Sequence, residues 1–368
     1  MTVPPLTRIV QALPDTVPFV APETLERRSG IRIRARVGAN ESSFGPSPKV
    51  IRAMQDAAHS VWQYGDPEML ELRAALAAQL GVPLPSIVVG EGIDGLHGLI
   101  ARLLIEPEDV AVTSLGAYPT FNYHVAGFGG RLVAIPYTAD DREDLGALAA
   151  AARRERAKVV YLSNPDNPMG SWWDRSNLQQ FLDSVPEDTL VLLDEAYSET
   201  APAEALPPLL PLRPNLLRTR TFSKAYGLAG MRVGYAIGDP GMIRAFDKVR
   251  NHFGVTRLSQ LAAVEALKDD DYLRKVVAQV ADGRGRLAAI AADNGLAALP
   301  SATNFVAIDC GRDGTFAMRV LEQLAARGVF IRKPMAPRLD RCIRISVGRP
   351  EELDVVAEEL PKALREAL

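Results

Sequence analysis

The sequence predicts an α/β fold: a mostly parallel central sheet with helices on both faces, joined to a smaller α+β unit. Three observations carry that prediction. Between about Lys49 and Arg250, short apolar runs alternate with amphipathic helical stretches, as in chains whose helices cover both faces of a parallel sheet. From about Thr256 the pattern turns to long helices as far as Asn294, after which strand-like and helical runs interleave. With 368 residues and 47% apolar composition, the chain is long enough to bury a large core in two units. The expected division is an N-terminal arm over residues 1–40 that joins the smaller unit, a large unit over 41–250 and a small unit over 251–368.

In chain order, the irregular arm runs into Ala39-Asn40-Glu41-Ser42-Ser43-Phe44-Gly45-Pro46, and Tyr64 precedes Gly65-Asp66-Pro67. The first strand of the alternation, 87–89, passes through Gly90-Glu91-Gly92-Ile93-Asp94 into an apolar helix. Such a turn aims backbone N–H groups and a positive helix end at an anion, although by itself capping by Asp94 is the simpler account. Strands 110–113 and 132–135 flank Gly116-Ala117-Tyr118-Pro119-Thr120-Phe121, which offers two aromatic rings. Strand 159–162 ends in Ser163-Asn164-Pro165-Asp166-Asn167-Pro168-Met169-Gly170, ordinary turn chemistry that also presents the Asn167 amide.

Strand 190–193 delivers Asp194 and Tyr197 at its carboxyl end, and the Pro-rich run 203–214 reads as a loop. Strand 216–221 leads into Thr221-Phe222-Ser223-Lys224-Ala225-Tyr226-Gly227, with Arg232 shortly beyond and a last strand over 233–237. A lysine amine placed so can condense with an aldehyde, while Thr221, Ser223 and Arg232 offer donors to a phosphate. The plain alternative is a solvated lysine in a Gly-rich turn. In the small unit, strands 304–309, 329–331 and 342–347 interleave with helices 314–327 and 351–367. Arg344 alternates with apolar residues, so it faces inward and needs an anionic partner, from the core or from a ligand. Arg332 lies beside Lys333 and Arg338, where a solvated charged loop is an equal reading. Gly92, Tyr118, Asn167, Asp194 and Lys224 all fall just beyond strand-like runs, where open parallel sheets bind ligands.

Composition narrows the function classes. A net charge of −3 leaves no basic footprint for nucleic acid or anionic membranes. No stretch approaches the ~18 apolar residues of a membrane helix, and the N-terminus has no cationic start with an apolar core, so a cytoplasmic protein is expected. Cys310 and Cys342 sit in strand-like sequence and are expected as buried reduced thiols. His59, His97, His124 and His252 lack ligand spacing, so all four are taken as structural or surface residues and no metal site is expected. The expected partners are small molecules and a second copy of the chain.

The segment from Thr221 to Tyr235 resembles the lysine segment of fold-type I pyridoxal-phosphate (PLP) aminotransferases of class I/II. With the segments around Asp194, Asn167, Gly92, Tyr118 and Arg344, the resemblance runs from about residue 38 to 349. The opening around Asn40 is similar to that of the histidinol-phosphate aminotransferases. The resemblance implies that Lys224 holds PLP as a Schiff base and later shuttles a proton, and that Asp194 keeps the pyridine nitrogen protonated. It implies Tyr197 and Asn167 at the 3-oxygen and Tyr118, rather than Phe121, stacked on the ring. The phosphate would be held by the turn Gly92-Ile93-Asp94, by Thr221, Ser223 and Arg232, and by Tyr64 reaching across from the partner in a homodimer. Arg344, Arg332 and Asn40 would face the substrate, Arg344 at its carboxylate or an equivalent group and Arg332 at a distal phosphate.

The chain departs from the family at Ile93 and Gly95, usually small or hydroxyl and acidic, at Met169, usually Thr, and at Ser42-Ser43, usually Asn-Pro. The phosphate would then lean more on backbone N–H groups, Thr221, Ser223 and Arg232. The implied reaction is ping-pong transfer of an amino group, from histidinol phosphate as first choice, to a 2-oxo acid such as 2-oxoglutarate. Aromatic or other amino-acid donors stay open, as does decarboxylation of a phosphorylated amino acid in the manner of threonine-phosphate decarboxylase. That choice depends on which α-carbon bond stands perpendicular to the ring. A PLP-sensing regulator would need a DNA-binding module, and none is expected in the stretch before Asn40.

Overall fold

A computed structural model describes residues 4–15 and 20–368. Of the expected arm, residues 1–3 and 16–19 lie outside the described residues, and with them part of the N-terminal stretch judged against a targeting leader. The strands in chain order are β1 (Ala35–Arg36), β2 (Ile87–Gly90), β3 (Val110–Ser114), β4 (Arg131–Ile135), β5 (Val159–Ser163), β6 (Leu190–Asp194), β7 (Leu216–Thr221) and β8 (Gly234–Ile237), followed by β9 (Ala297–Ala298), β10 (Phe305–Asp309), β11 (Val329–Phe330) and β12 (Cys342–Ser346).

Seven of these form one sheet in the order β2-β8-β7-β6-β5-β3-β4. All run parallel except β8, which pairs antiparallel with both β2 and β7. Every residue of β3, β5 and β6 is buried, whereas the edge strand β4 is partly exposed. Such near-continuous apolar strands need cover on both faces. One face is closed by a cluster that includes Leu96, Phe121 and Tyr161, the other by one that includes Leu148, Leu178 and Phe181. Because β8 is reversed, its start lies at the edge where β2, β5, β6 and β7 end, and Arg232 arrives there beside Gly92 and Lys224.

The second part of the chain packs helices Asp270–Asp293, Gly314–Ala326 and Pro350–Glu366 around an antiparallel sheet in the order β12-β10-β9. The segment before Asn40 is laced to this part: β1 pairs parallel with β11, and Val37 takes an N–H bond from Ser346 at 2.8 Å. Among the described residues no helix is long and apolar enough to cross a membrane, and no group of His, Cys, Asp and Glu could hold a metal ion. Both cysteines are buried and free.

Candidate active site

Each side chain at the strand edge is set there by local geometry. Gly92 opens helix Gly92–Leu104 with φ 74°, a conformation that favours glycine. A methyl group there would meet the Arg232 guanidinium at 2.5 Å. The helix start has no side-chain cap, so Asp94 does not cap it and its first N–H groups lack that partner. The guanidinium therefore lies against a positive helix end, two donors aimed at one place where an anion fits.

At the end of β7, the Thr221 hydroxyl donates to Ser223 Oγ at 3.0 Å and lies 3.3 Å from the Val233 carbonyl, so it backs Ser223 from inside. Lys224 Nζ donates to the Asn40 carbonyl at 3.0 Å and lies 5.6 Å from the centre of the Tyr197 ring. Asn40 is buried in the left-handed region at φ 54° and joins the two parts of the chain. Its carbonyl also accepts from Asn304, its Nδ2 donates to the Tyr197 hydroxyl at 3.0 Å, and its Oδ1 accepts from Ser346. Asn167 Nδ2 donates to the same Tyr197 oxygen at 3.2 Å, so two amide groups converge on one phenol.

Arg344 is set opposite. It donates to Asn167 Oδ1 at 2.5 Å and more weakly to the Gly38 carbonyl, while its buried Nε has no partner. Among the described residues Arg344 makes no ion pair, which removes the reading of a core carboxylate partner. Its backbone bridges to Arg332, whose guanidinium packs over Phe330 and donates to the Val20 carbonyl at 2.6 Å. Two arginines on neighbouring chain segments thus lie beside the pocket, where fork-shaped donors suit a carboxylate or phosphate.

Burial sets the charge states. Loss of water, with Arg344 nearby, lowers the Lys224 amine to about 8 against the pull of Asp194. Burial raises Asp194 to about 6, offset in part by the Tyr161 hydroxyl at 2.9 Å on Oδ2 and the Ala196 N–H at 3.1 Å on Oδ1. Burial also pushes the Tyr197 phenol upward, so it stays protonated at neutral pH. Beneath the pocket, Asp166 accepts from the Tyr137 hydroxyl and from the Met169 N–H, and burial lifts it to about 7.

Tyr118 is half-buried within the fields of Asp94, Asp194, Arg232 and Arg344. Phe121 is fully buried and stacks on Tyr161 in the core at 5.4 Å between ring centres. Ile93 is half-exposed at the helix start. The space beside Gly95 is taken by the Glu91 side chain, and buried Met169 joins the cluster of Tyr137, Ala307 and Cys342. Tyr64 is not at this pocket: it is 77% exposed and pairs with Phe253 at 4.9 Å. Three contributors were missed in the sequence reading: Tyr161 and His97, both beside Asp194, and Asn304 behind Asn40. Only the polar interruption of an apolar run marks the first two.

The family profile described as aminotransferase class I and II matches residues 35–360. A histidinol-phosphate aminotransferase of Moorella thermoacetica is 35% identical over 371 aligned positions, spanning 100% of this chain and 94% of the relative. One of Roseiflexus castenholzii is 37% identical over 95% of this chain and 96% of its own length. Among solved structures, the histidinol-phosphate aminotransferase of Sinorhizobium meliloti in complex with pyridoxal-5'-phosphate superposes with a TM-score of 0.97 at 54% identity, covering 100% and 99% of the two chains. The aspartate aminotransferase of Thermus thermophilus, at 23% identity and a TM-score of 0.82 over 98% of this chain and 100% of its own, shares the fold.

Proposed function

Because the chain belongs to the class I and II aminotransferase family, we propose that it is a PLP-dependent transaminase with histidinol phosphate as amino donor and a 2-oxo acid such as 2-oxoglutarate as acceptor. The observation that carries this reading is the Lys224 amine, held near neutrality at about 8 between Asp194, Tyr197 and Arg344. The residues fit the cofactor. An uncapped helix start facing Arg232 suits a phosphate, and a buried carboxyl raised to about 6 suits a ring nitrogen that shares its proton.

When bound, PLP supplies an aldehyde for amines and a protonated ring that accepts the electron pair left by the broken α C–H bond. Lys224 takes the proton from the donor's α carbon and returns it, as general base and then acid. Asp194 holds the positive charge on the ring nitrogen. Tyr197 receives N–H groups from Asn40 and Asn167, which leaves its own O–H free to donate to the 3-oxygen. Tyr118 covers the ring face. Ser223, Arg232 and the turn Gly92-Ile93-Asp94 bind the phosphate, with Thr221 setting Ser223.

Arg344 and Arg332 receive the anionic end of the donor. Their pairing favours a phosphate-bearing donor over one whose only anion is a carboxylate. The chain acts as a homodimer in the cytoplasm, with Tyr64 reaching the other copy's pocket, and the large unit 41–250 carries the cofactor while the arm and 251–368 close over the substrate.

The test is a coupled assay with PLP, histidinol phosphate and 2-oxoglutarate, read as glutamate formed. Wild-type protein is expected to turn over and Lys224→Ala to show no turnover. Carbon dioxide release from a phosphorylated amino acid, or turnover with aromatic amino acids alone, would overturn the donor assignment.

A further inference from the structure

His97 lies on helix Gly92–Leu104, fully buried, with no hydrogen-bond partner on either ring nitrogen. Burying an unpaired imidazole costs free energy, so its presence calls for an explanation. Its ring meets Phe121 edge-on at 5.7 Å and Tyr161 edge-on at 5.5 Å, which fixes its plane. Nε2 lies 3.8 Å from Asp194 Oδ2, the same oxygen that accepts from Tyr161. The groups that face this pair are Tyr161, Lys224 and Glu195 around Asp194, and Asp94 and His124 around His97. Burial holds the imidazole neutral, at about 3, so it carries one proton, and the carboxylate favours the tautomer with that proton on Nε2.

We propose that His97 is a positioning residue for Asp194: the Tyr161 hydroxyl bonds the carboxylate, and the Nε2–H dipole of His97 beside the same oxygen helps to keep it ionised, so that the proton shared with the cofactor resides on the pyridine nitrogen. This rests on the transaminase reading. Without the His97 donor the carboxylate is harder to keep ionised, and the shared proton moves toward Asp194. The Phe121–Tyr161 stack supplies the rigidity, because the imidazole is fully buried and packed edge-on against both stacked rings.

Two measurements test it. In wild-type protein labelled with 15N-histidine, the His97 ring should be neutral with its proton on Nε2; a proton on Nδ1 overturns the proposal without any variant. In protein loaded with PLP labelled at the ring nitrogen, the 15N shift at pH 7 should report a protonated ring. His97→Leu should lower the ratio of protonated to neutral ring by about tenfold, the size of one pKa unit, and His97→Gln, which keeps an N–H donor, should restore most of it. Equal ratios in all three proteins would make His97 a core filler. Failure of wild-type protein to bind PLP through Lys224 would instead overturn the transaminase reading, a result separable from an unchanged ratio in loaded variants.

Discussion

At the scale of single residues, the site works through charge states set by burial. The free amine of Lys224 is the species that attacks an aldehyde, and its pKa is lowered from 10.5 to about 8. Covalent capture of PLP by the cofactor-free protein should therefore accelerate as pH rises through about 8 and level off above it. Borohydride trapping at a series of pH values measures this, and a rise continuing beyond 10 would mean an ordinary exposed lysine. Tyr161→Phe removes a 2.9 Å bond to a buried carboxylate, so stability at neutral pH should fall by about 1.5–3 kcal/mol, read from the shift of the denaturant midpoint. Lys224, Asp194 and Asn167 were legible in the sequence because each stands in a short motif directly after an apolar run. Tyr161 and His97 were not, because they reach Asp194 from a strand interior and a helix face through space, and no spacing along the chain encodes that approach.

At the scale of elements, the turn after β7 shows how tightly the site is bound to its loops. Gly227 has φ 69°, and a methyl group there would collide with the Gly45 backbone. That close approach seats the segment carrying Asn40 against the segment carrying Lys224. Gly227→Ala should cost about 1–3 kcal/mol from backbone strain, with further loss from the collision, seen as a lower denaturation midpoint and weaker PLP retention. A proline-rich loop and seven strands were readable from apolar runs bounded by turn residues. The reversed direction of β8 was not, since an apolar run reads alike in either direction. The uncapped start of helix Gly92–Leu104 was also hidden, because Asp94 looks like a cap in the sequence and instead pairs with His124 at 3.1 Å.

At the scale of the whole molecule, the pocket joins the two parts of the chain: Asn40 comes from the arm, Lys224 and Asp194 from the large sheet, and Arg344 from β12. One surface stands out away from it, where Trp62 and Tyr64 are 79% and 77% exposed, with Val61 and Phe253 also exposed. In the proposed homodimer a second copy would cover these exposed aromatic residues, and Trp62→Glu should then shift sedimentation from dimer toward monomer with loss of bound PLP. The α/β class was legible in the alternation of runs, but the position of Tyr64, remote from its own chain's pocket, follows only from the folded surface. In the proposed function, Lys224 carries PLP for transamination of histidinol phosphate. The most direct test is a single half-reaction: PLP-loaded protein mixed with histidinol phosphate, without any oxo acid, and assayed for pyridoxamine phosphate by mass spectrometry. One equivalent formed per site in wild-type protein and none in Lys224→Ala is the predicted result; unchanged PLP with histidinol phosphate, but conversion by aromatic amino acids, would contradict it.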